Sequence, residues 1–149
     1  MNKKILIING PNINLLGERE QSQYGSKTID EIKKECLDYS KKLKLSVHFE
    51  QSNIEGEIVN LIQDCRDSYN GLIINAAGFT HTSVSIRDAI NILKIPSIEV
   101  HISNIYKREE FRHKSLLSDV VTGGIFGVGV RCYILAIKAL DSIIENGNW

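Results

Sequence analysis

The sequence predicts an α/β fold in which a parallel sheet is covered by helices on both faces. Short runs of β-branched and apolar residues alternate with amphipathic helical segments five times along the chain. Polar residues interrupt the apolar pattern mainly where the predicted strands end. The chain has 149 residues, of which 42% are hydrophobic and 24% charged, so we expect one domain with a substantial core.

The first half of the chain holds three predicted strands and two predicted helices. Strand 1 is followed by a loop of roughly eighteen residues, a length typical of lids and other functional loops. The capping boxes Thr28-x-x-Glu31 and Ser52-x-x-Glu55 predict the starts of the helices that follow strands 1 and 2. The three strands are predicted over residues 4–8, 45–51 and 72–76.

The second half continues the alternation of strands and helices. A helix is predicted to start after Thr82 or Ser83, and a short helix is predicted to follow strand 4. Strands 4 and 5 are predicted over residues 95–104 and 120–125, and the two later helices over residues 108–113 and 130–144. Because five parallel strands with right-handed crossovers suit a doubly wound sheet, we predict the flavodoxin-like order 2-1-3-4-5.

In such a sheet, ligands bind beyond the carboxyl ends of the strands, near the switch between strands 1 and 3. Asn12 follows strand 1, Asn75 lies in strand 3, and His101 and Ser103 come at the end of strand 4. Burial of an amide such as that of Asn75 without a partner is costly. The sequence therefore predicts a polar site at this edge.

Strand 4 carries an acid and an imidazole on one face. Glu99 and His101 are two residues apart, so both side chains point to the same side of the strand. A carboxylate in this position orients the imidazole and favours its cationic form, which is the arrangement of a general acid. The alternative is an exposed strand edge followed by a solvated helix over the charged residues 107–114.

Composition excludes several classes of protein. Lysine plus arginine and aspartate plus glutamate both number 18, so the chain lacks the basic excess of nucleic-acid or membrane-surface proteins. The four apolar residues 5–8 are too few for a signal peptide, and we expect a cytoplasmic protein. The histidines and the three cysteines lack metal-ligand spacing, so we predict no metal and interpret Cys36 and Cys65 as buried thiols.

A glycine-rich run over residues 123–129 resembles a dinucleotide-binding fingerprint. It follows the last strand instead of the first, and Cys132 stands where the third glycine belongs. We therefore interpret it as a tight turn and predict no cofactor. The loop after strand 1 also lacks the Ser/Thr-rich phosphate loop of flavodoxins, and Asn75 replaces the aspartate that a response regulator phosphorylates.

Five long motifs in order resemble those of the type II 3-dehydroquinate dehydratases. They span most of the chain, and chance resemblance over this length is excluded. The motifs are NGPNINLLGERE at residues 9–20 with Tyr24-Gly25 after it, QSNIEG at 51–56, THTSVSIRDA at 80–89, EVHISN at 99–104 and REEFRH at 108–113.

The resemblance implies a single catalytic domain over residues 1–149, a hydro-lyase of the shikimate pathway of aromatic amino acid biosynthesis. Such an enzyme dehydrates 3-dehydroquinate to 3-dehydroshikimate by anti elimination through an enolate, with no metal, no cofactor and no Schiff base. It also implies a homododecamer built from trimers. The alternative from another class is a non-catalytic flavodoxin-like ligand-binding or docking module.

The resemblance also implies the role of each site residue. Tyr24 would be the base at C2 and His101 the acid at the C1 hydroxyl, with Glu99 orienting the imidazole. Arg19 would hold Tyr24 ionised, and Asn12 would position a water at the enolate oxygen. Apart from the resemblance, Arg108 is a second candidate cation, because a nearby guanidinium group favours a phenolate. The carboxylate would be bound by Asn75 and by the backbone N–H groups of Ile102 and Ser103, and the ring hydroxyls by His81, Arg112 and a neighbouring subunit's Asp88.

The chain departs from the family pattern at three positions. Gln21 replaces a usual proline, Phe79 a common tyrosine and Cys132 a common glycine. None of these is a predicted catalytic group, so we expect the reaction type to be unchanged.

Overall fold

A computed structural model describes residues 2–147. Its strands are β1 (Lys3–Asn9), β2 (Leu45–Gln51), β3 (Gly71–Asn75), β4 (Ser97–His101) and β5 (Gly123–Phe126). Its α-helices are α1 (Gln21–Tyr24), α2 (Ile29–Lys42), α3 (Glu55–Ser68), α4 (Val84–Asn91) and α5 (Cys132–Asn146). All strand pairs are parallel, and the order β2-β1-β3-β4-β5 confirms the predicted flavodoxin-like sheet.

Alternate residues of the central strands pack into two separate cores. On one face, Ile5 and Ile7 of β1 pack against residues of α2 and α5. On the other face, Leu6 and Ile8 pack against residues of α3 and α4. A strand buried on both faces is apolar throughout, as residues 5–8 are.

The capping boxes had different outcomes. Thr28 accepts from the backbone N–H of Glu31, whose carboxylate accepts from the N–H of Thr28, so the first box is confirmed. The second was wrong: Ser52 accepts from the N–H of Ile54 and donates to the carboxylate of Glu57, and α3 begins at Glu55 without a side-chain cap. The hydroxyl is engaged in a local turn before the helix starts.

The predicted ranges of the last two strands were also wrong. Strand 4 is limited to five residues, because Pro96 lacks an N–H at one end and the chain turns at Ser103 on the other. β5 starts at Gly123, since the N–H groups of Val120 and Val121 bond to Leu117 in a turn. Instead of a short α-helix, residues 110–112 form one 3₁₀ turn.

The long loop after β1 is structured. It contains a 3₁₀ turn at Ile13–Leu15 and the short helix α1, which ends at Gly25 with a φ of 79°. Gln21, at the position of the usual proline, donates to the carbonyl of Gly17 at 2.7 Å. This local structure brings Tyr24 back over the carboxyl edge of the sheet. Among residues 2–147, none of the helices is long and apolar enough to cross a membrane.

Candidate active site

A polar cavity of about 120 Å³ lies at the carboxyl ends of β1, β3 and β4. The first loop closes one side, and the segment after β4 closes the other. It is lined by Pro11, Asn12, Ile13, Arg19, Tyr24, Asn75, Ala77, Gly78, His81, His101, Ile102, Ser103, Ile105, Arg108 and Arg112. The sheet topology therefore brings together side chains as far apart in the sequence as Pro11 and Arg112.

His101 and Glu99 form a buried pair at the cavity floor. The Nε2 atom of His101 lies 2.5 Å from Oε2 of Glu99, and both residues are less than 10% exposed. The hydroxyls of Ser115 and Ser118 donate to the same carboxylate at 2.9 and 2.7 Å. Glu99 stands behind His101 and does not line the cavity, so only the imidazole faces it.

The carboxylate of Glu99 is held in its ionised form. Burial raises its pKa, but the hydrogen bond and charge of His101 and the hydrogen bonds from the two serines outweigh burial. The net result is a pKa below the usual range of a glutamate. A fixed carboxylate at this point fixes the orientation of the imidazole ring through its Nε2 atom.

Tyr24 lies between two guanidinium groups. Arg108 Nη1 donates to the phenolic oxygen at 2.6 Å, and the Cζ atoms of Arg19 and Arg108 lie 5.1 and 5.2 Å from the ring centroid. The side chain of Arg108 is only 8% exposed and also donates to Ser103 at 3.3 Å. The phenolic oxygen of Tyr24 therefore accepts a hydrogen bond from a charged donor, and two guanidinium groups lie against its ring.

Arg108 has a larger part in the site than the sequence predicts. The sequence indicates it only as a second candidate cation beside Arg19, whereas in the structure it makes the direct contact with Tyr24. The available signal was its position in the motif REEFRH directly after strand 4. That signal does not distinguish Arg108 from Arg112, whose Nε instead donates to Glu109 at 2.5 Å.

His81 lies beside His101, with ring centroids 6.4 Å apart. Its Nδ1 atom donates to the carbonyl of Lys114 at 2.8 Å, which leaves Nε2 for another contact. Partial burial lowers the pKa of His81 below its ordinary value, and the charges of His101 and Arg112 act in the same direction. His81 is therefore a neutral side chain near pH 7, with Nε2 as an acceptor.

The remaining predicted site residues fall into two groups. Asn12, Asn75, Ile102 and Ser103 all line the cavity, and the backbone N–H of Asn12 is held by Asn53 Oδ1 at 3.0 Å. Asp88 does not line it: this residue is exposed on α4. Within residues 2–147, no group of three or more histidine, cysteine, aspartate or glutamate side chains is arranged to hold a metal ion.

The model of the family Dehydroquinase class II matches residues 3–141. The chain belongs to the class II dehydroquinases. Among its relatives, the 3-dehydroquinate dehydratase of Endomicrobium trichonymphae is 51% identical over 142 residues, which cover 95% of this chain and 99% of the relative. That of Acaryochloris marina is 49% identical over 136 residues, or 91% of both chains.

Solved structures of class II dehydroquinases have the same fold. The type II dehydroquinase from Butyrivibrio crossotus superposes with a TM-score of 0.92 at 43% identity, covering 94% of this chain and 98% of that structure. The enzyme from Propionibacterium acnes gives a TM-score of 0.92 at 42% identity, with coverage of 95% and 98%. The similarity therefore extends over nearly the whole chain.

Proposed function

We propose that this class II dehydroquinase is a hydro-lyase that converts 3-dehydroquinate to 3-dehydroshikimate in the shikimate pathway, with residues 1–149 as one catalytic domain. The observation that supports the proposal is that one cavity holds both a tyrosine and a histidine, each with a charged partner. Tyr24 is contacted there by Arg108, and His101 is contacted by Glu99. A non-catalytic docking module is not favoured, because it has no need of a tyrosine held by an arginine and a histidine held by a glutamate in the same cavity.

Tyr24 is the general base in this proposal. The C2 proton lies next to the ketone of the substrate, and its removal produces an enolate. Arg108 and Arg19 stabilise the phenolate that removes the proton, and an arginine does not compete as a base because its charge is permanent. Asn12, at the cavity mouth, holds a water that donates to the enolate oxygen.

His101 is the general acid. Its Nε2 atom is engaged by Glu99, so Nδ1 is the nitrogen that delivers a proton to the departing C1 hydroxyl. The ionised Glu99 stabilises the imidazolium before transfer. Elimination of water from the enolate then gives the conjugated product by anti elimination, without a metal, a cofactor or a Schiff base.

The other cavity residues bind the substrate. Asn75 and the backbone N–H groups of Ile102 and Ser103 are donors that suit its carboxylate, and three arginines make the cavity attractive to an anion. His81 and Arg112 hold the ring hydroxyls. His81 Nε2 accepts from a hydroxyl, whereas the guanidinium of Arg112 donates to one.

We also propose that the chain assembles into trimers and then into a homododecamer. Asp88 is exposed and outside the cavity of its own chain, which suits a carboxylate that completes the site of a neighbouring subunit. The cytoplasmic location expected from the sequence stays a prediction.

The test is an ultraviolet assay for the conjugated product with 3-dehydroquinate as substrate. The wild-type chain forms the product, whereas Tyr24→Phe and His101→Ala do not. The matched control Tyr106→Phe alters an exposed tyrosine outside the cavity and retains activity. Borohydride added with the substrate leaves the protein mass unchanged, and a mass increase on one lysine would reject the enolate route. Substrate binding without product would support the docking module.

A further inference from the structure

A buried polar chain joins the ends of β1 and β3 to the start of α5. The hydroxyl of Tyr133, on α5, donates to Asn9 Oδ1 at 2.6 Å and accepts from Asn75 Nδ2 at 3.0 Å. All three side chains are at most 3% exposed. This series of hydrogen-bonded side chains lies directly beneath the cavity, since Asn75 is both its last member and part of the cavity wall.

Backbone groups at both ends determine which atom donates and which accepts in each hydrogen bond among Asn9, Tyr133 and Asn75. At one end, Asn9 Nδ2 lies 3.1 Å from the carbonyl of Glu50, which can only accept. The oxygen of the Asn9 amide therefore faces Tyr133, and the hydroxyl must donate to it. Burial raises the pKa of Tyr133 well above its ordinary value, so the hydroxyl keeps the proton that it donates.

The backbone at the Asn75 end requires the same direction of donation along these hydrogen bonds. The N–H of Ala77 can only donate, and it lies 3.2 Å from Oδ1 of Asn75. This bond holds Ala77 in the left-handed region, at a φ of 52°, where the chain turns along the cavity wall. The nitrogen of the Asn75 amide must then face Tyr133, whose hydroxyl has lone pairs free to accept.

One N–H of Asn75 remains. Its amide oxygen is used by Ala77 and one N–H by Tyr133, and within residues 2–147 its second N–H has no acceptor. We propose that Tyr133 is a positioning residue that determines specificity: its hydroxyl orients the Asn75 amide so that a donor, and not an acceptor, faces the substrate. This inference rests on the proposed function, in which Asn75 binds the substrate carboxylate.

Removal of the Tyr133 hydroxyl takes away one of the hydrogen bonds that fix the orientation of the Asn75 amide. In Tyr133→Phe the Asn75 nitrogen loses its acceptor, and the N–H of Ala77 alone still fixes the amide, so the side chain can rotate away from the orientation that presents a donor to the cavity. A donor that is no longer held toward the carboxylate binds it more weakly, so substrate affinity falls. Because the carboxylate is unchanged during the reaction, the loss applies equally to the ground state and the transition state. KM therefore rises by about tenfold and kcat changes little.

The experiment is a double-mutant cycle of Tyr133→Phe and Asn75→Ala with KM and kcat as readouts. Tyr133→Phe raises KM in the wild-type background and adds nothing in the Asn75→Ala background. A carboxamide analogue of the substrate, used as an inhibitor, loses less affinity than the substrate does. The control is Tyr39→Phe, since Tyr39 packs against the same core and its hydroxyl makes no hydrogen bond within the described residues.

The outcomes distinguish this inference from the proposed function. An absence of dehydratase activity in the wild-type protein would contradict the proposed function itself. An active wild type with an unchanged KM in Tyr133→Phe, a fall in kcat alone, or equal effects of Tyr133→Phe in both backgrounds would overturn the role of Tyr133. If Tyr133→Phe does not fold, Asn75→Asp tests the same orientation: it must bind substrate more weakly than Asn75→Ala, and equal binding would contradict the proposal.

Discussion

Arg108 Nη1 lies 2.6 Å from the phenolic oxygen of Tyr24, although the two residues are 84 positions apart in the sequence. The contact links the first loop to the segment after β4 and closes one side of the cavity. Glu20 lies between the two arginines, with its carboxylate 3.4 Å from Arg19 and 3.6 Å from Arg108. Tyr24, the proposed base, thus lies in a cluster of charged side chains from both segments.

Replacement of Arg108 by methionine should slow the reaction with little effect on folding. The substitution keeps a long side chain but removes the donor to the phenolic oxygen of Tyr24, the proposed base. A hydrogen bond to a charged group is worth about 1.5–3 kcal/mol, so kcat should fall about 10- to 100-fold. Steady-state kinetics with Arg66→Met, an exposed arginine on α3, as control would measure this. Equal kcat values in the two variants would contradict the role of Arg108.

Exchange of the C2 proton should separate the roles of Tyr24 and His101. Tyr24→Phe removes the base, so deuterium uptake at C2 should fall by about 10²-fold or more. His101→Ala should stop the loss of water but still allow the exchange, because Tyr24 and the enolate site remain. Mass spectrometry or NMR of the substrate in D₂O measures the uptake. Exchange at the wild-type rate in Tyr24→Phe would show that another group is the base.

Glu99 should contribute stability that disappears in acid. Its pKa in the folded protein is lowered, so its contribution is complete above the unfolded value of about 4.3 and is lost as the pH falls through the folded value. The difference in unfolding free energy between wild type and Glu99→Gln should therefore be larger at pH 5 than at pH 3. Denaturant unfolding measures it, with the exposed Glu110→Gln as control. A difference that grows in acid would have the wrong sign.

The three cysteines should be unreactive in the folded protein. Cys36, Cys65 and Cys132 are completely buried, and burial raises the pKa of each thiol to about 12. Iodoacetamide at pH 8 should add no label to the native chain and three labels in denaturant, as counted by mass spectrometry. Rapid labelling of the native chain with loss of activity would mean that the core opens readily.

Asp88 should act on the cavity of a neighbouring subunit. Asp88→Ala and Tyr24→Phe chains that are inactive alone should regain partial activity when dissociated and reassembled together, because some sites then receive both intact residues. A mixture of Tyr24→Phe and His101→Ala chains is the control. These residues line the cavity of one chain, so no site in this mixture is complete. Mixed oligomers without recovered activity would place Asp88 outside the site.

The sequence by itself determined the alternation of strands and helices, the sheet order and the shared face of Glu99 and His101. These properties follow from local periodicity and from the parallel connection of strands, so residues near in sequence are sufficient to predict them. The helix start at Thr28 is also local, since both partners of the capping box lie within one turn.

Only the tertiary structure decided which arginine contacts Tyr24 and which way the Asn75 amide faces. Arg108 and Arg112 carry the same charge and belong to the same short motif, and they differ in where the folded segment places them. The orientation of Asn75 depends on Tyr133, 58 positions away, and on the backbone of Glu50 and Ala77. Such hydrogen bonds form between distant segments only when the sheet and α5 have packed together. The local hydrophobic periodicity of the sequence therefore does not predict them.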